Sequence, residues 1–178
     1  MHKFPDGKRF AFTIFDDTDL STATNIRPVY DLLFTLGMQS TKSVWPLASV
    51  SDGWHGGSSL QEPDYLRFIC SLRDRGFEIA LHNVRNHDST RILIDQGLEE
   101  FRRLIGYYPR VHANHSRNRD NIYWGVARFD KIGRLYRACA AVLGEDERPF
   151  EGHDPSTEYF WGDLCRERVD YVRNLVFR

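Results

Sequence analysis

Short apolar segments alternate with longer segments of helical periodicity along the first two thirds of the chain. Four of the short segments predict buried strands, and they comprise residues 9–15, 41–45, 77–81 and 110–113. Between them, apolar residues recur every three or four positions, which predicts three helices. Each predicted helix ends at a glycine, and these glycines are Gly37, Gly76 and Gly106.

The last third of the chain has a weaker pattern. Residues 129–143 predict a fourth helix, residues 153–159 a loop and residues 169–177 a final strand. Strands that alternate with helices indicate an α/β domain with a parallel sheet, either open or closed into a barrel. The length fits a single domain over residues 1–178. Because the final strand ends one residue before the chain does, we expect the C-terminal end of the domain to be incomplete.

Charge and composition exclude several classes of function. The 24 basic and 25 acidic residues give a net charge of −1, which offers no electrostatic basis for binding nucleic acid. No stretch of about 18 apolar residues occurs, so the expectation is a cytoplasmic protein that does not insert into membranes. The three cysteines are far apart and predict neither a disulfide framework nor a zinc knuckle.

Side chains with metal-ligand chemistry follow the ends of the predicted strands. Asp16 and Asp17 follow the first strand, His82 follows the third, and His112 and His115 lie in or after the fourth. The carboxyl ends of parallel strands meet at one edge of a sheet, so we expect these side chains to lie close together. A carboxylate with imidazoles is the ligand set of a hydrolytic divalent metal, and zinc is the expected ion.

Each of these residues also has a structural interpretation. Asp16 and Asp17 are equally well placed to stabilise the N-terminus of the helix that follows. His82 at a strand end is typical of a hydrogen-bonded structural histidine, and His87 is placed to cap the third helix. In an extended segment His112 and the histidine three residues later point to opposite faces, so at most one of them is expected in the site.

Three segments resemble sequence motifs of the polysaccharide deacetylase family, which shares the NodB-homology domain. Residues 13–18, TIFDDT, resemble the family's TFDDG motif. Residues 76–86, GFEIALHNVRN, resemble GHEIGSHTxxH without gaps and align His82 with the family's first histidine. Residues 106–110, GYYPR, resemble the stretch that leads into the third motif. The resemblance covers about residues 9–117.

Membership in this family would imply a distorted (β/α) barrel that uses a divalent metal to remove acetyl groups from glycans. By position, Asp16 would be the general base, whereas Asp17 and His82 would bind the metal. A divalent ion polarises the acetyl carbonyl and stabilises the oxyanion that forms from it. A neighbouring carboxylate that is not a ligand can then accept the proton.

The chain departs from the family pattern at the second histidine, which falls on Asn86. The third metal ligand is therefore open among Asn86, His87 and His115. The arginine and proline of the third motif are replaced by HANH at residues 112–115. Two imidazoles and an amide are costly to bury without partners, so we expect this segment to supply a ligand, a transition-state donor or a proton donor.

The same reasoning names residues for substrate binding and for the general acid. His112, Asn114 and Trp124 are candidate contacts to the sugar, and His115 is a candidate catalytic residue. The family's C-terminal leucine–histidine pair, which supplies the general acid, has no match before the end of the chain. His112, His115 or His153 is expected to replace it, or the incomplete C-terminal region carries it.

The function predicted from the sequence is a metal-dependent deacetylase that acts on an acetylated sugar or glycan. There are two alternatives. A glycoside hydrolase would pair the carboxylate of Asp16 with that of Glu78 or Asp154 and would need no metal. A non-catalytic carbohydrate-binding relative would have lost tight metal binding through its altered ligands.

Overall fold

A curled sheet of five parallel strands, in the order β1-β2-β3-β4-β5, organises this α/β structure. The computed structural model describes residues 5–10, 12–50, 55–124 and 150–173. The strands are β1 (Phe15–Asp16), β2 (Thr41–Val44), β3 (Glu78–Leu81), β4 (Val111–Ala113) and β5 (Tyr171–Arg173). The helices are α1 (Ala23–Thr35), α2 (Pro63–Asp74), α3 (Arg91–Ile105) and α4 (Gly162–Arg168), and a 3₁₀ turn covers Pro5–Gly7.

The register of the sheet aligns the strand ends along one edge. Val44, Leu81, His112 and Val172 lie side by side across β2 to β5. Because all the strand pairs are parallel, the loops that follow the strands open at the same edge. This is the edge at which the sequence places its ligand-type residues.

Local signals explain where the helices begin and end. The Thr22 hydroxyl accepts a hydrogen bond from the Asn25 N–H at 3.2 Å, and the Asn25 side chain accepts one from the Thr22 N–H at 2.8 Å. Pro63 starts α2, and Gly106 ends α3 in a left-handed conformation with φ of 99°. The three predicted helices and the strands β2, β3 and β4 are confirmed.

One hydrophobic core joins helices α1, α2 and α3 to one face of the sheet. Tyr30 of α1 packs edge-on against Phe68 of α2 and against Phe77, with ring centroids 6.2 and 5.1 Å apart. Leu81 of β3 belongs to this core. Because adjacent strand residues point to opposite faces, His82 faces away from this helix layer.

The first predicted strand is wrong over most of its length. The sequence predicts a buried strand over residues 9–15, but β1 begins at Phe15, and Phe10 and Phe12 are 76% and 74% exposed. Apolar residues predict a buried strand, but a strand is buried only where other elements pack against it. β1 is an edge strand that pairs only with β2 among the described residues, so the apolar residues that precede it stay exposed.

The C-terminal part of the structure differs from the sequence prediction in one element. Helix α4 was not predicted, because its seven residues make only two turns and show little periodicity. β5 lies within the predicted strand 169–177, and the loop predicted over residues 153–159 is confirmed. Residues 174–177 and the predicted helix 129–143 lie outside the described residues. No helix in the described part of the chain is long and apolar enough to cross a membrane.

Candidate metal centre

Asp19, His82 and His115 meet at the carboxyl edge of the sheet. Each offers one ligand atom, and the three atoms lie within 4.8 Å of one another. Asp19 Oδ1 is 3.6 Å from His82 Nε2 and 3.4 Å from His115 Nε2. Asp17 lies beside them, with its Oδ1 3.0 Å from His82 Nε2. The loops after β1, β3 and β4 each contribute to this cluster.

Both imidazoles are oriented by an oxygen outside the cluster. His82 Nδ1 lies 3.1 Å from the carbonyl oxygen of Ala113, which can only accept a hydrogen bond. His115 Nδ1 lies 2.9 Å from Oδ1 of Asn118. When a ring is neutral, its Nδ1 therefore carries the proton and the lone pair of its Nε2 faces the cluster. Protein metal ligands have this arrangement, in which the other ring nitrogen donates to a carbonyl or carboxyl oxygen.

The inward-facing atoms lack aligned hydrogen-bond partners among the described residues. Asp19 Oδ1, His82 Nε2 and His115 Nε2 are all buried and unpaired in this sense. A buried polar atom without an aligned partner is costly, and when both rings are neutral the three lone pairs that converge here repel one another. A divalent cation would satisfy all three atoms at once, so the residues present fit a metal ion.

The electrostatics of the cluster favour ionised carboxylates. Burial by itself raises the pKa of Asp19, but the contacts of Asp19 with His115 and His82 have the larger, opposite effect, so its pKa lies well below the usual value. For His82 the directions are reversed: burial lowers its pKa, and the contacts with Asp17 and Asp19 outweigh burial and raise the pKa above the usual value. Carboxylates that stay charged at neutral pH can bind a cation without first losing a proton.

Trp45 forms an apolar wall behind the two histidines. Its ring is fully buried at the end of β2, stacks against His82 at a centroid distance of 6.3 Å and meets His115 edge-on at 5.7 Å. An apolar wall lowers the local dielectric and strengthens the attraction between charges at the site.

Asp16 faces the opposite side of the sheet from Asp17. Its Oδ2 is 3.1 Å from Nζ of Lys42 and accepts a hydrogen bond from the Tyr30 hydroxyl at 2.8 Å. Adjacent residues of an extended chain point to opposite faces, so Asp16 contacts the helix layer and Asp17 the cluster. Position in the motif predicts Asp16 as the general base, whereas the structure joins its carboxylate to Lys42 and Tyr30 on the helix side of the sheet.

Lys42 also holds the loop that carries the acids, which comprises residues 17–22. Its Nζ is fully buried and donates to the carbonyl oxygen of Asp17 at 3.1 Å and to the Ser21 hydroxyl at 3.0 Å. Gly57 packs against this loop so closely that an added Cβ would lie 3.1 Å from the backbone of Ser21. These contacts place Asp17 and Asp19 at the edge of the sheet.

Two of the three candidates for the third ligand lie outside the cluster. The side chain of Asn86 pairs with the backbone of Val50, accepting from its N–H at 2.8 Å and donating to its oxygen at 3.2 Å. His87 is exposed to solvent. Of the three candidates for the third ligand, the structure therefore brings His115 to the cluster and leaves Asn86 and His87 outside it.

His112 is fully buried and contacts Trp161 and Asn114. Its ring is fully buried against Trp161, with centroids 5.0 Å apart, and burial lowers its pKa to about 3. Its Nε2 lies 3.1 Å from Oδ1 of Asn114, and the Asn114 amide pairs with both backbone groups of Ile122. These hydrogen bonds tie the end of β4 to the loop that follows it, and the contacts of His112 and Asn114 with a sugar stay predictions.

Of the remaining candidates, His153, Glu78 and Asp154 have contacts with residues outside the cluster. Trp124 is half-buried at the end of a described segment. His153 stacks on Tyr123 with centroids 5.5 Å apart. Glu78 starts β3, at the end of the strand opposite to His82, and accepts from the Thr41 hydroxyl at 2.7 Å. Asp154 is exposed and accepts hydrogen bonds from the backbone N–H and the hydroxyl of Ser156.

Asp19 is the functional candidate that sequence reasoning missed. It is the third acid in DDTD at residues 16–19, and it lies outside the Asp16–Asp17 pair that matches the family motif, so the motif does not point to it. The backbone N–H of Asp19 donates to Asp17 Oδ1 at 3.2 Å, which turns the chain after β1. This turn directs a third carboxylate towards the histidines, and a spacing of two residues between acids is the only sequence signal for it.

Comparison with known proteins assigns no family to this geometry. No family model matches the chain, and neither a curated protein nor a solved structure matches it significantly.

Proposed function

We propose that this protein is a divalent-metal-dependent hydrolase that removes acetyl groups from a sugar or glycan. Asp19, His82 and His115 would hold the metal. The observation that carries this proposal is the convergence of three buried, unpaired ligand atoms from three separate loops. Two imidazoles and one carboxylate form a ligand set of hydrolytic zinc sites that leaves coordination positions free for reactants.

A bound divalent ion supplies Lewis acidity, which stabilises the negative charge that develops on an acyl oxygen during hydrolysis. Within this site, Asp17 is the residue that we assign to proton transfer. Its side chain is 56% exposed, against 23% for Asp19, so it can meet a substrate at the open side of the cluster. Its position 3.0 Å from His82 Nε2 keeps it within reach of the reacting groups.

The acetylated-sugar substrate is proposed from the deacetylase-like motifs, and the location of the cluster supports it. The TIFDDT segment and His82, which carry the resemblance, supply Asp17 and one ligand of the same site. The curled parallel sheet is compatible with the distorted (β/α) barrel of that family, and we propose that architecture for this domain.

Metal analysis of purified protein tests the metal site. We expect about one zinc ion per chain after reconstitution with zinc and removal of excess metal. Asp19→Ala, His82→Ala and His115→Ala should each lose it, while His87→Ala, which changes an exposed histidine, should retain it. A wild-type protein that stays metal-free, or a loss in His87→Ala equal to that in His115→Ala, would overturn the site. Ferrous iron also suits two imidazoles and a carboxylate, and elemental analysis distinguishes it from zinc.

Acetate release from acetylated chito-oligosaccharides by the zinc-loaded protein tests the reaction. Turnover that disappears in His115→Ala and persists in His87→Ala supports a deacetylase. Binding of the oligosaccharide with a full complement of zinc but without acetate release would instead support a carbohydrate-binding protein. Cleavage of the glycosidic bonds in the presence of a chelator would support a glycoside hydrolase.

A further inference from the structure

Three buried asparagines hold His115 by every polar group except Nε2. Its backbone N–H donates to Oδ1 of Asn83 at 2.6 Å, and its carbonyl oxygen accepts from Nδ2 of Asn121 at 2.6 Å. Its ring Nδ1 donates to Oδ1 of Asn118 at 2.9 Å. All three asparagines are at most 2% exposed. The position and the rotation of the imidazole are therefore set by side chains that do not belong to the cluster.

The orientation of the Asn118 amide is determined by the backbone around it. Its Nδ2 donates to the carbonyl oxygens of Arg85 and His87, at 3.2 and 3.1 Å. A flipped amide would place its oxygen against these two acceptors, so Oδ1 must face His115. An amide oxygen accepts a hydrogen bond but cannot donate one. Asn118 consequently favours the tautomer of His115 that carries its proton on Nδ1.

The two histidines of the cluster differ in what orients them. His82 Nδ1 faces the backbone carbonyl of Ala113, which no substitution removes. His115 Nδ1 faces a side chain, which a single substitution can remove. A substitution of Asn118 can therefore change the tautomer of His115 without changing any of the ligand residues.

We propose that Asn118 is a positioning residue that fixes the Nδ1–H tautomer of His115 and thereby directs the Nε2 lone pair towards Asp19. The effect on metal affinity rests on the proposed function, whereas the effect on the tautomer is a property of the chain without metal. Outer partners of this kind are typically worth about 10-fold to 100-fold in metal affinity.

The test measures the tautomer and the metal affinity separately. Long-range ¹H–¹⁵N spectra of metal-free, histidine-labelled protein at about pH 9 report which ring nitrogen of neutral His115 carries the proton. We expect Nδ1–H in the wild-type protein and a mixture of tautomers in Asn118→Ala. Asn121→Ala is the matched control, because it removes a buried asparagine that holds only the backbone of His115.

Zinc affinity by chelator competition completes the experiment. We expect Asn118→Ala to bind zinc 10-fold to 100-fold more weakly than the wild-type protein and Asn121→Ala to change affinity much less. An Nε2–H tautomer in the wild-type protein, an unchanged tautomer in Asn118→Ala, or equal effects of Asn118→Ala and Asn121→Ala would overturn the proposal. Because the wild-type spectrum alone can contradict it, the test does not depend on the folding of any variant. A wild-type protein that binds no zinc but shows Nδ1–H would contradict the metal site and leave the role of Asn118 intact.

Discussion

The imidazoles of His82 and His115 meet edge to face, with their centroids 5.1 Å apart and their planes at 87°. The two residues come from the ends of different strands and are 33 positions apart in the chain. Each ring has its Nδ1 proton directed to an oxygen outside the pair, so both Nε2 atoms remain for a third partner. The two histidines thus supply two of the three ligand atoms of the candidate cation site, and Asp19 supplies the third.

The assignment of Asp17 and Asp16 predicts different outcomes for two isosteric variants. Asp17→Asn should retain zinc and folding but lose at least about 100-fold in acetate release, because it removes the proposed proton acceptor. Asp16→Asn should lose stability while retaining much of the turnover per folded molecule. Steady-state kinetics with zinc-loaded protein check both. Equal loss of turnover in the two variants at unchanged stability would restore Asp16 as the base.

The ion pair between buried Lys42 and half-buried Asp16 predicts an effect on stability. Lys42→Met removes the cation that pairs with Asp16 and the donor to the Asp17 carbonyl, and should lower the free energy of unfolding by about 1–3 kcal/mol. Urea denaturation measures this change. The double variant with Asp16→Asn should recover part of the loss, because it removes the unpaired charge. Lys8→Met, at an exposed position, should have little effect.

Asp120 predicts a pH dependence of stability that falls in the mildly acidic range. Its carboxylate is buried and accepts from Nδ2 of Asn83 and the N–H of Ser89, yet burial outweighs these bonds and raises its pKa to about 6. A pKa that is higher in the folded than in the unfolded protein gives stability at low pH, and this stability is lost as the pH rises to about 6.

The contribution of Asp120 can be isolated by substitution. The gap between about 6 and the usual value of 3.8 corresponds to about 3 kcal/mol. Asp120→Asn should remove this dependence in urea titrations between about pH 4 and pH 7, whereas Asp74→Asn, at the surface, should keep the wild-type profile. A wild-type stability that rises relative to that of Asp120→Asn over this range would contradict the assignment.

The close contact between Gly97 of α3 and Val84 in the loop after β3 leaves no room for a larger side chain at position 97. A Cβ added there would lie 2.4 Å from Cγ1 and 2.5 Å from Cβ of Val84. Gly97→Ala should therefore destabilise the protein by about 1–3 kcal/mol despite the higher helix propensity of alanine. Thermal unfolding, with the exposed substitution Gln96→Ala as control, measures this effect. Trimming Val84 to alanine should rescue little, because the Val84 Cβ itself is in the way.

The sequence by itself determined the order of most elements and the edge of the sheet that carries the chemistry. Periodicity and helix-end signals are local, so they predicted α1 to α3 and β2 to β4 from neighbouring residues alone. The parallel arrangement followed from the alternation of these elements, and it placed Asp17 and His82 at one edge. His115 was among the candidates there because it follows the fourth strand.

Only the tertiary structure decided which of the candidate side chains meet. Strand alternation and the contact with Lys42 directed Asp16 to the helix layer, and a turn after β1 directed Asp19 to the histidines. The choice of His115 over Asn86 and His87 depended on hydrogen bonds to residues distant in the chain, such as the bond from His115 to Asn83. Exposure of Phe10 and Phe12 likewise depended on the absence of a second neighbour for β1 among the described residues. Composition and spacing specify what a residue can do, whereas the partners that it meets are set by contacts between segments far apart in sequence.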